Sequence, residues 1–238
     1  MKVGLQTIAW HDCDDRIDEP IKAAKDTGYD GIELAQFITE GQNFRNALAM
    51  LSGFGLQLCG VSGGSLRDRL ALAKQFESES SGRPLPYIYA DAWSDLDEHL
   101  YLNSNVQANI AIHPHMFKPI QTFSEAKGVK KRCAYVKYMP DTAHSTIAGD
   151  DILAFLTNHL AECVAVHVKD WTPEFGRSLP FYSTGFVSLG TGRVPIKEVV
   201  MLLKQQKFDG WLIVEQDFAS NPTTEAHKSR DYLRALGV

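Results

Sequence analysis

Three apolar runs of this chain lead directly into side chains that bind divalent metals. Ile110-Ala111-Ile112 enters His113-Pro114-His115, Val164-Ala165-Val166 enters His167-Val168-Lys169-Asp170, and Leu212-Ile213-Val214 enters Glu215-Gln216-Asp217. A fourth run ends at Asp141, followed by Thr142, Ala143 and His144. Two imidazoles and two carboxylates (His113, Asp141, His167 and Glu215) suit one borderline divalent ion such as Mn²⁺, Co²⁺, Zn²⁺ or Fe²⁺, with Mg²⁺ as a harder alternative. An ion so held keeps positions open for substrate oxygens and polarises a carbonyl as a Lewis acid. A lone histidine at the end of such a run is ordinarily a hydrogen-bonded core or surface residue, and a lone aspartate is a cap or turn residue. The four together point to a site.

The chemistry such an ion supports is proton transfer beside a carbonyl, so acid–base groups are expected nearby. His115, Lys169 and Asp217 each lie two residues beyond a candidate ligand, on the same face of an extended strand. His144 follows Asp141 in a turn. His115, His144 and Lys169 are the candidate acid–base groups, with orientation of the ligands by hydrogen bonds as their alternative role. Glu33 and Asp217 are candidates for substrate hydroxyls, and a salt bridge inside the same mouth is an equal reading for Glu33. Trp171, with Trp10, Trp93 and Phe186, could form an apolar wall for a substrate ring, although aromatic residues more often pack. His11, His99, His159 and His227 read as ordinary surface or helix histidines.

These residues must be held by a scaffold, and the chain alternates short apolar strands with amphipathic helices throughout. Strands are expected at 2–9, 31–36, 57–61, 87–90, 109–113, 134–138, 163–168 and 210–215. Helices are expected at about 17–27, 43–53, 65–77, 95–103, 122–127, 150–160, 195–205 and 223–236, the first two ended by glycine. Alternation implies a parallel sheet covered by helices. Eight units in 238 residues favour a closed (β/α)₈ barrel, one domain over 1–238, above an open doubly wound sheet. A dinucleotide-binding sheet needs a Gly-x-Gly-x-x-Gly turn after an early strand, which Ser62-Gly63-Gly64 does not supply. In such a barrel the C-terminal strand ends share one mouth, which is where the four candidate ligands fall.

Composition excludes several classes. The chain is 44% hydrophobic and 22% charged with a formal net charge of −5, which fits a packed core and no polyanion partner. The short basic cluster Lys127, Lys130, Lys131 and Arg132 reads as a solvated helix end. Four widely spaced cysteines without a Cys-x-x-Cys, and no recognisable signal peptide, lead to the expectation of reduced thiols in a cytoplasmic protein. Cys59 and Cys163 read as small core residues.

Six stretches carry a family resemblance: Gly28 to Leu34, Ala111 to Met116, Asp141 to His144 with Ala148 to Asp150, His167 to Asp170, Leu189 to Gly192, and Phe208 to Asp217. Together, in this order, they resemble the xylose isomerase-like barrels of the sugar phosphate isomerase/epimerase superfamily, and most of all its inosose (2-keto-myo-inositol) dehydratase branch. The resemblance implies a TIM barrel with a metal held by His113, Asp141, His167 and Glu215. Epimerases of the superfamily usually have Glu at the strand-five position, where two glutamates exchange protons with opposite faces of one carbon. His113 stands there in this chain, which turns the expectation toward dehydration of a small keto-sugar or keto-inositol. The resemblance also implies a homo-oligomer. The segment from Trp93 to Asn109 is shorter than in most members.

Three alternatives remain at this level. The same site could isomerise or epimerise its substrate. A phosphodiester hydrolase like the DNA-repair endonucleases of the superfamily would need several metals and a basic face, against the acidic net charge. A non-catalytic ligand-binding or partner barrel is the third.

Overall fold

The computed structural model describes residues 1–11, 17–35, 41–62, 64–79, 87–90, 110–173 and 185–238. The expected helix at 95–103, together with Trp93 and His99, lies outside the described residues. Strands β1 (Lys2–Gln6), β2 (Gly31–Leu34), β3 (Gln57–Val61), β4 (Ile88–Ala90), β5 (Ile110–Ile112), β6 (Lys137–Tyr138) and β7 (Ala165–Val168) follow the chain, and β10 (Trp211–Val214) completes the set. Between them β8 (Asp170–Trp171) and β9 (Phe186–Val187) form a small antiparallel hairpin. Parallel pairing runs β3-β2-β1-β10-β7 in one sheet and β4-β5-β6 in another.

Two bridges join these sheets into a ring. Gly60 pairs with Tyr87 ahead of β4, and Tyr138 of β6 pairs with Cys163 ahead of β7. Tyr87 N donates to Cys59 O at 3.2 Å, and Val164 N donates to Tyr138 O at 3.0 Å. The eight strands therefore close as a TIM barrel.

Strand alternation sorts the side chains into two cores. Val166, Val168, Leu212, Val214, Ile110 and Ile112 face outward, into the large apolar layer beneath the helices. Cys59, Tyr89, Ala111, Met139, Ala165, Trp211 and Ile213 form a second cluster, the packed floor inside the ring. Two residues further along, on the same inward parity, come His113, Asp141, His167 and Glu215. The sequence thus places its candidate ligands directly above a dry floor.

The helices are α1 (Asp18–Thr27), α2 (Gly41–Phe54), α3 (Leu66–Glu79), α4 (Phe123–Arg132), α5 (Thr142–Ala148), α6 (Ile152–His159), α7 (Ile196–Gln205) and α8 (Pro222–Ala235). Gly28 ends α1 in the left-handed region at φ 74. Thr122 and Glu125 form a reciprocal capping box on α4, and Lys130, Lys131 and Arg132 of the basic cluster lie in the last turn of that helix, where cations suit the dipole. Lys130 also donates to Ala134 O and Val136 O and pairs with Glu162 at 3.2 Å.

Several boundaries moved from expectation. β1 stops at Gln6 because a 3-10 turn occupies Ile8–Trp10. β6 keeps only Lys137 and Tyr138, since α4 runs on through Arg132. The single helix expected at 150–160 follows a separate one, α5, which Asp141 caps by accepting from His144 N at 2.8 Å. Pro195 precedes α7 as its cap residue instead of opening its first turn. The long segment after β7 is not wholly loop, because β8 and β9 pair at its base. Among the described residues, no helix is long and apolar enough to cross a membrane.

Candidate metal centre and active site

Each candidate ligand stands at or just past a strand end, where the ladder stops and a side chain can turn into the mouth. His113 follows β5 and is 3% exposed; its Nδ1–H donates to Met139 O at 3.2 Å, which leaves Nε2 to accept. Fixing one ring nitrogen on a carbonyl orients the other toward a metal. Asp141 pairs with His167 across the β6–β7 boundary, and His167 N donates to Pro140 O at 2.9 Å. His167 Nδ1 contacts Glu215 Oε2, and its Nε2 lies 3.2 Å from Glu33 Oε2.

The donor atoms gather in two overlapping triads, His113–Asp141–His144 and Asp141–His167–Glu215, with the donor atoms of each triad within 4.8 Å of one another. Asp141 belongs to both. Its Oδ1 caps α5, whereas its Oδ2 is buried and without a hydrogen-bond partner among the described residues. A buried carboxylate oxygen left unpaired costs about 1–3 kcal/mol, and a cation would satisfy it.

The charge balance says the same. Glu33, Glu215 and Asp217 pair with Lys169 and His167 as the facing cations, and Asp141 joins His167 and Glu215 in one donor triad. Burial pushes the Asp141 carboxyl up to about 6 against the pull of Lys169, and Asp217 up to about 7 against the same lysine. Burial would lower His167, but Glu33 and Glu215 outweigh it and raise the imidazole to about 10. Glu215 goes the opposite way: burial would raise it, and Lys169 and His167 hold it well below the usual carboxylate range. Burial, with His167 next in weight, keeps His113 neutral far below its ordinary value, so it is ready to coordinate. A buried, carboxylate-rich set with neutral imidazoles on its rim fits a divalent cation.

The expected acid–base groups come together around this set. The His115 and His144 rings lie 3.8 Å apart, and the His113 ring lies 5.9 Å and 6.1 Å from them. His115 is half-buried; its Nδ1–H donates to Met116 O at 2.7 Å, and burial followed by the Lys169 charge pushes it down to about 4. Lys169 is fully buried, with Nζ at 2.9 Å from Glu215 Oε1, 2.5 Å from Asp217 Oδ1 and 3.5 Å from His144 Nε2. Burial opposes its charge, but Asp217 and Glu215 more than offset this and raise it, so it stays an ammonium. Phe186 on β9 covers this corner, its ring 4.3 Å from Lys169 Nζ and 5.7 Å from the His144 ring.

Asp217 is engaged by Lys169, and Glu33 is fully buried against His167, the salt bridge that was the equal reading for it. Trp171 is half-buried on β8 beside Phe186's strand, and Trp10 packs into the core at 2% exposure. His144 lies in ligand geometry with His113 and Asp141, beyond the acid–base role expected for it. Sequence reading missed Tyr89, whose ring lies 4.9 Å from that of His113 and 6.4 Å from that of His167. Strand parity in β4 was the signal for it.

The mouth also contains a carboxylate with a different task. Asp170 Oδ2 accepts from Gly190 N and Gly192 N, both at 2.9 Å; Oδ1 accepts from Trp171 N at 2.8 Å and Val194 N at 3.1 Å. A Cβ at Gly192 would lie 2.3 Å from Asp170 Oδ1, so only glycine allows this approach. The Leu189 to Gly192 motif is therefore a backbone cradle for Asp170.

Comparison with known proteins agrees with this fold. The family model for the xylose isomerase-like TIM barrel matches residues 82–236. The chain belongs to this family. Inosose dehydratase from Bacillus thuringiensis (strain Al Hakam) is 28% identical over 167 residues, which are 63% of this chain and 56% of that protein. The aligned part thus spans little more than half the length of that curated relative. Among solved structures, 3-keto-D-glucoside 4-epimerase from E. coli superposes with a TM-score of 0.75 at 16% identity, over 99% of both chains. D-Psicose 3-epimerase from Clostridium cellulolyticum H10 gives a TM-score of 0.70 at 16% identity, again over 99% of both. These two likenesses speak to the fold.

Proposed function

We propose that this protein is a metal-dependent lyase of the dehydratase type, acting on a small keto-sugar or keto-inositol. The observation that carries the reading is the buried Oδ2 of Asp141, without a hydrogen-bond partner among the described residues, at the junction of the two donor triads. His113, Asp141, His167 and Glu215 would hold the cation, with His144 as a further donor. When bound, the cation supplies Lewis acidity to the substrate ketone and so favours loss of an α proton.

The rest falls to the protein. His115 is neutral, with Nδ1 committed to Met116 O and Nε2 left as the acceptor, which suits it to take the α proton. Lys169 remains an ammonium and is the donor to a departing β-hydroxyl. The carbon–hydrogen pair becomes the new double bond, the carbon–oxygen bond breaks, and water leaves with the lysine proton. His144 Nε2, 3.5 Å from Lys169 Nζ, offers a route for reprotonating that amine. Phe186 keeps bulk water from the Lys169 corner. The name of the inosose dehydratase relatives supports elimination, as does His113 at the position where epimerases of the family resemblance have Glu.

Incubating Mn²⁺-loaded protein with 2-keto-myo-inositol tests this. An absorbing enone with loss of one water is the expected result. Deuterium uptake from solvent without loss of water would replace the lyase reading with isomerisation or epimerisation. Failure to take up metal, with no change on His113→Ala, would make the barrel non-catalytic.

A further inference from the structure

Glu33 belongs to β2, whereas His167 belongs to β7, and β1 and β10 separate those two strands in the sheet. Their contact therefore reaches across the barrel interior, at 3.2 Å from His167 Nε2 to Glu33 Oε2. Two local features make the reach possible. The β2–β3 register shifts between Ile32 and Glu33, which sets Glu33 opposite Gly60. At Gly60 a Cβ would lie 2.5 Å from Glu33 Oε2 and 2.8 Å from its Cγ, so the carboxylate occupies the space that any other residue would fill. Bulges of this kind re-aim a side chain where a site needs it.

We propose that Glu33 is a positioning residue: it fixes His167 through Nε2, so that Nδ1 is the nitrogen turned to the metal, and Gly60 leaves it the room to do so. This rests on the reading of the cluster as a metal centre. A carboxylate oxygen only accepts, so the nitrogen facing Glu33 carries the hydrogen. The other nitrogen, Nδ1, faces Glu215 Oε2 and by the same rule carries a hydrogen in the metal-free protein; that proton is the one a cation would displace, because Glu215, Asp141 and His167 form one triad. The arrangement is the carboxylate–histidine–metal relay, which sets the tautomer and the basicity of the ligand. Glu33 is fully buried and sits against the ring it orients, so a direct contact with substrate does not explain its place. Its Oε1 has no hydrogen-bond partner among the described residues, and only the oxygen on His167 is used.

The test is calorimetric titration of the metal-free protein with Mn²⁺, without substrate, for wild type, Glu33→Leu, Glu33→Gln and Gly60→Ala. Removal of an outer partner of a metal-bound histidine costs about 10–100-fold in affinity, and Glu33→Leu is expected to show that loss. Glu33→Gln keeps an acceptor of the same shape for Nε2–H and is expected to fall between Leu and wild type. Gly60→Ala, which keeps every ligand but displaces the carboxylate, is expected to weaken binding as well. Nitrogen-15 spectra of the Zn²⁺-loaded wild type should show the His167 Nε2 protonated. Unchanged Mn²⁺ affinity in both Glu33 variants, with KM raised instead, would overturn the proposal and leave Glu33 as a substrate contact. A metal bound through Nε2 would overturn it too. If wild type itself bound no metal, the metal centre would fall with it, and the two failures are thereby told apart.

Discussion

Two buried aspartates stand at the tips of neighbouring strands, and the chain treats them oppositely. Asp170, past β7, is 1% exposed and has both oxygens occupied by backbone N–H groups from Trp171, Gly190, Gly192 and Val194. Asp141, past β6, is equally buried, but one oxygen caps α5 and the other meets no hydrogen donor among the described residues. The first carboxylate is fully satisfied by the fold and holds a loop in place. The second is only half satisfied, and histidines and a glutamate surround the remainder. Residue type and burial are the same; what separates structure from chemistry is how much hydrogen-bonding capacity the fold leaves over.

Exchanging each aspartate for its amide sharpens this contrast. Asp141→Asn keeps an oxygen for the His144 N–H but removes the charge. It is expected to abolish measurable turnover and to weaken Mn²⁺ binding by more than the ~100-fold upper range of outer-partner losses. The thermal stability of the metal-free protein should hold or rise, since an uncompensated buried charge is gone. Calorimetry and a melting curve read both effects. Asp170→Asn should do the reverse, because its new NH₂ faces N–H groups instead of accepting from them. At about 1.5–3 kcal/mol for a hydrogen bond to a charged group, a loss of roughly 2–4 kcal/mol in denaturant unfolding is expected, with metal binding retained in the folded fraction.

Acid gives a smaller and graded effect. The Asp141 carboxyl is raised to about 6, so protons compete with the cation below that value. The His167 imidazolium, raised to about 10, must also give up a proton to bind, so Mn²⁺ affinity should rise with pH through the neutral range and fall more steeply below about 6, where Asp141 takes up its proton as well. An affinity unchanged down to pH 5 would place the ion on other ligands.

The smallest effect is expected at the α4 capping box, where the Thr122 and Glu125 side chains bond each other and the adjoining backbone. Thr122→Ala is expected to cost about 1 kcal/mol in unfolding and nothing in metal affinity. Backbone hydrogen bonds from Gln121 and Thr122 hold Glu125 below its ordinary value. Its contribution is therefore present above the unfolded carboxylate pKa and is lost as pH falls through the folded one. A stability gap between wild type and Glu125→Gln should accordingly shrink on acidification.

The barrel was legible because its cause is periodic. Apolar runs of period two alternate with helical stretches, and eight such units close a ring. The four candidate ligands were legible for the same reason, since each lies on the inward parity of a strand that the pattern had already located. The α5 helix was not, because its seven residues beyond Asp141 carry no apolar stripe, and its cap is the same aspartate that reads as a ligand. Nor were the partners of Glu33 and Asp217. Their cations, His167 and Lys169, lie 134 and 48 positions away in the chain, and only closure of the ring brings them into contact. Gly60 looked like any glycine in a strand until Glu33 was seen lying across it. Sequence periodicity fixes the direction of a side chain; which group meets it depends on ring closure and on a bulge one residue long.

The central claim is that the spare oxygen of Asp141 marks a metal centre. Titrating metal-free wild type, Asp141→Asn and Asp170→Asn with Mn²⁺ in parallel tests it most directly. The account predicts one ion per chain in wild type and in Asp170→Asn, and none in Asp141→Asn. No uptake by wild type, or equal uptake by all three proteins, would contradict it.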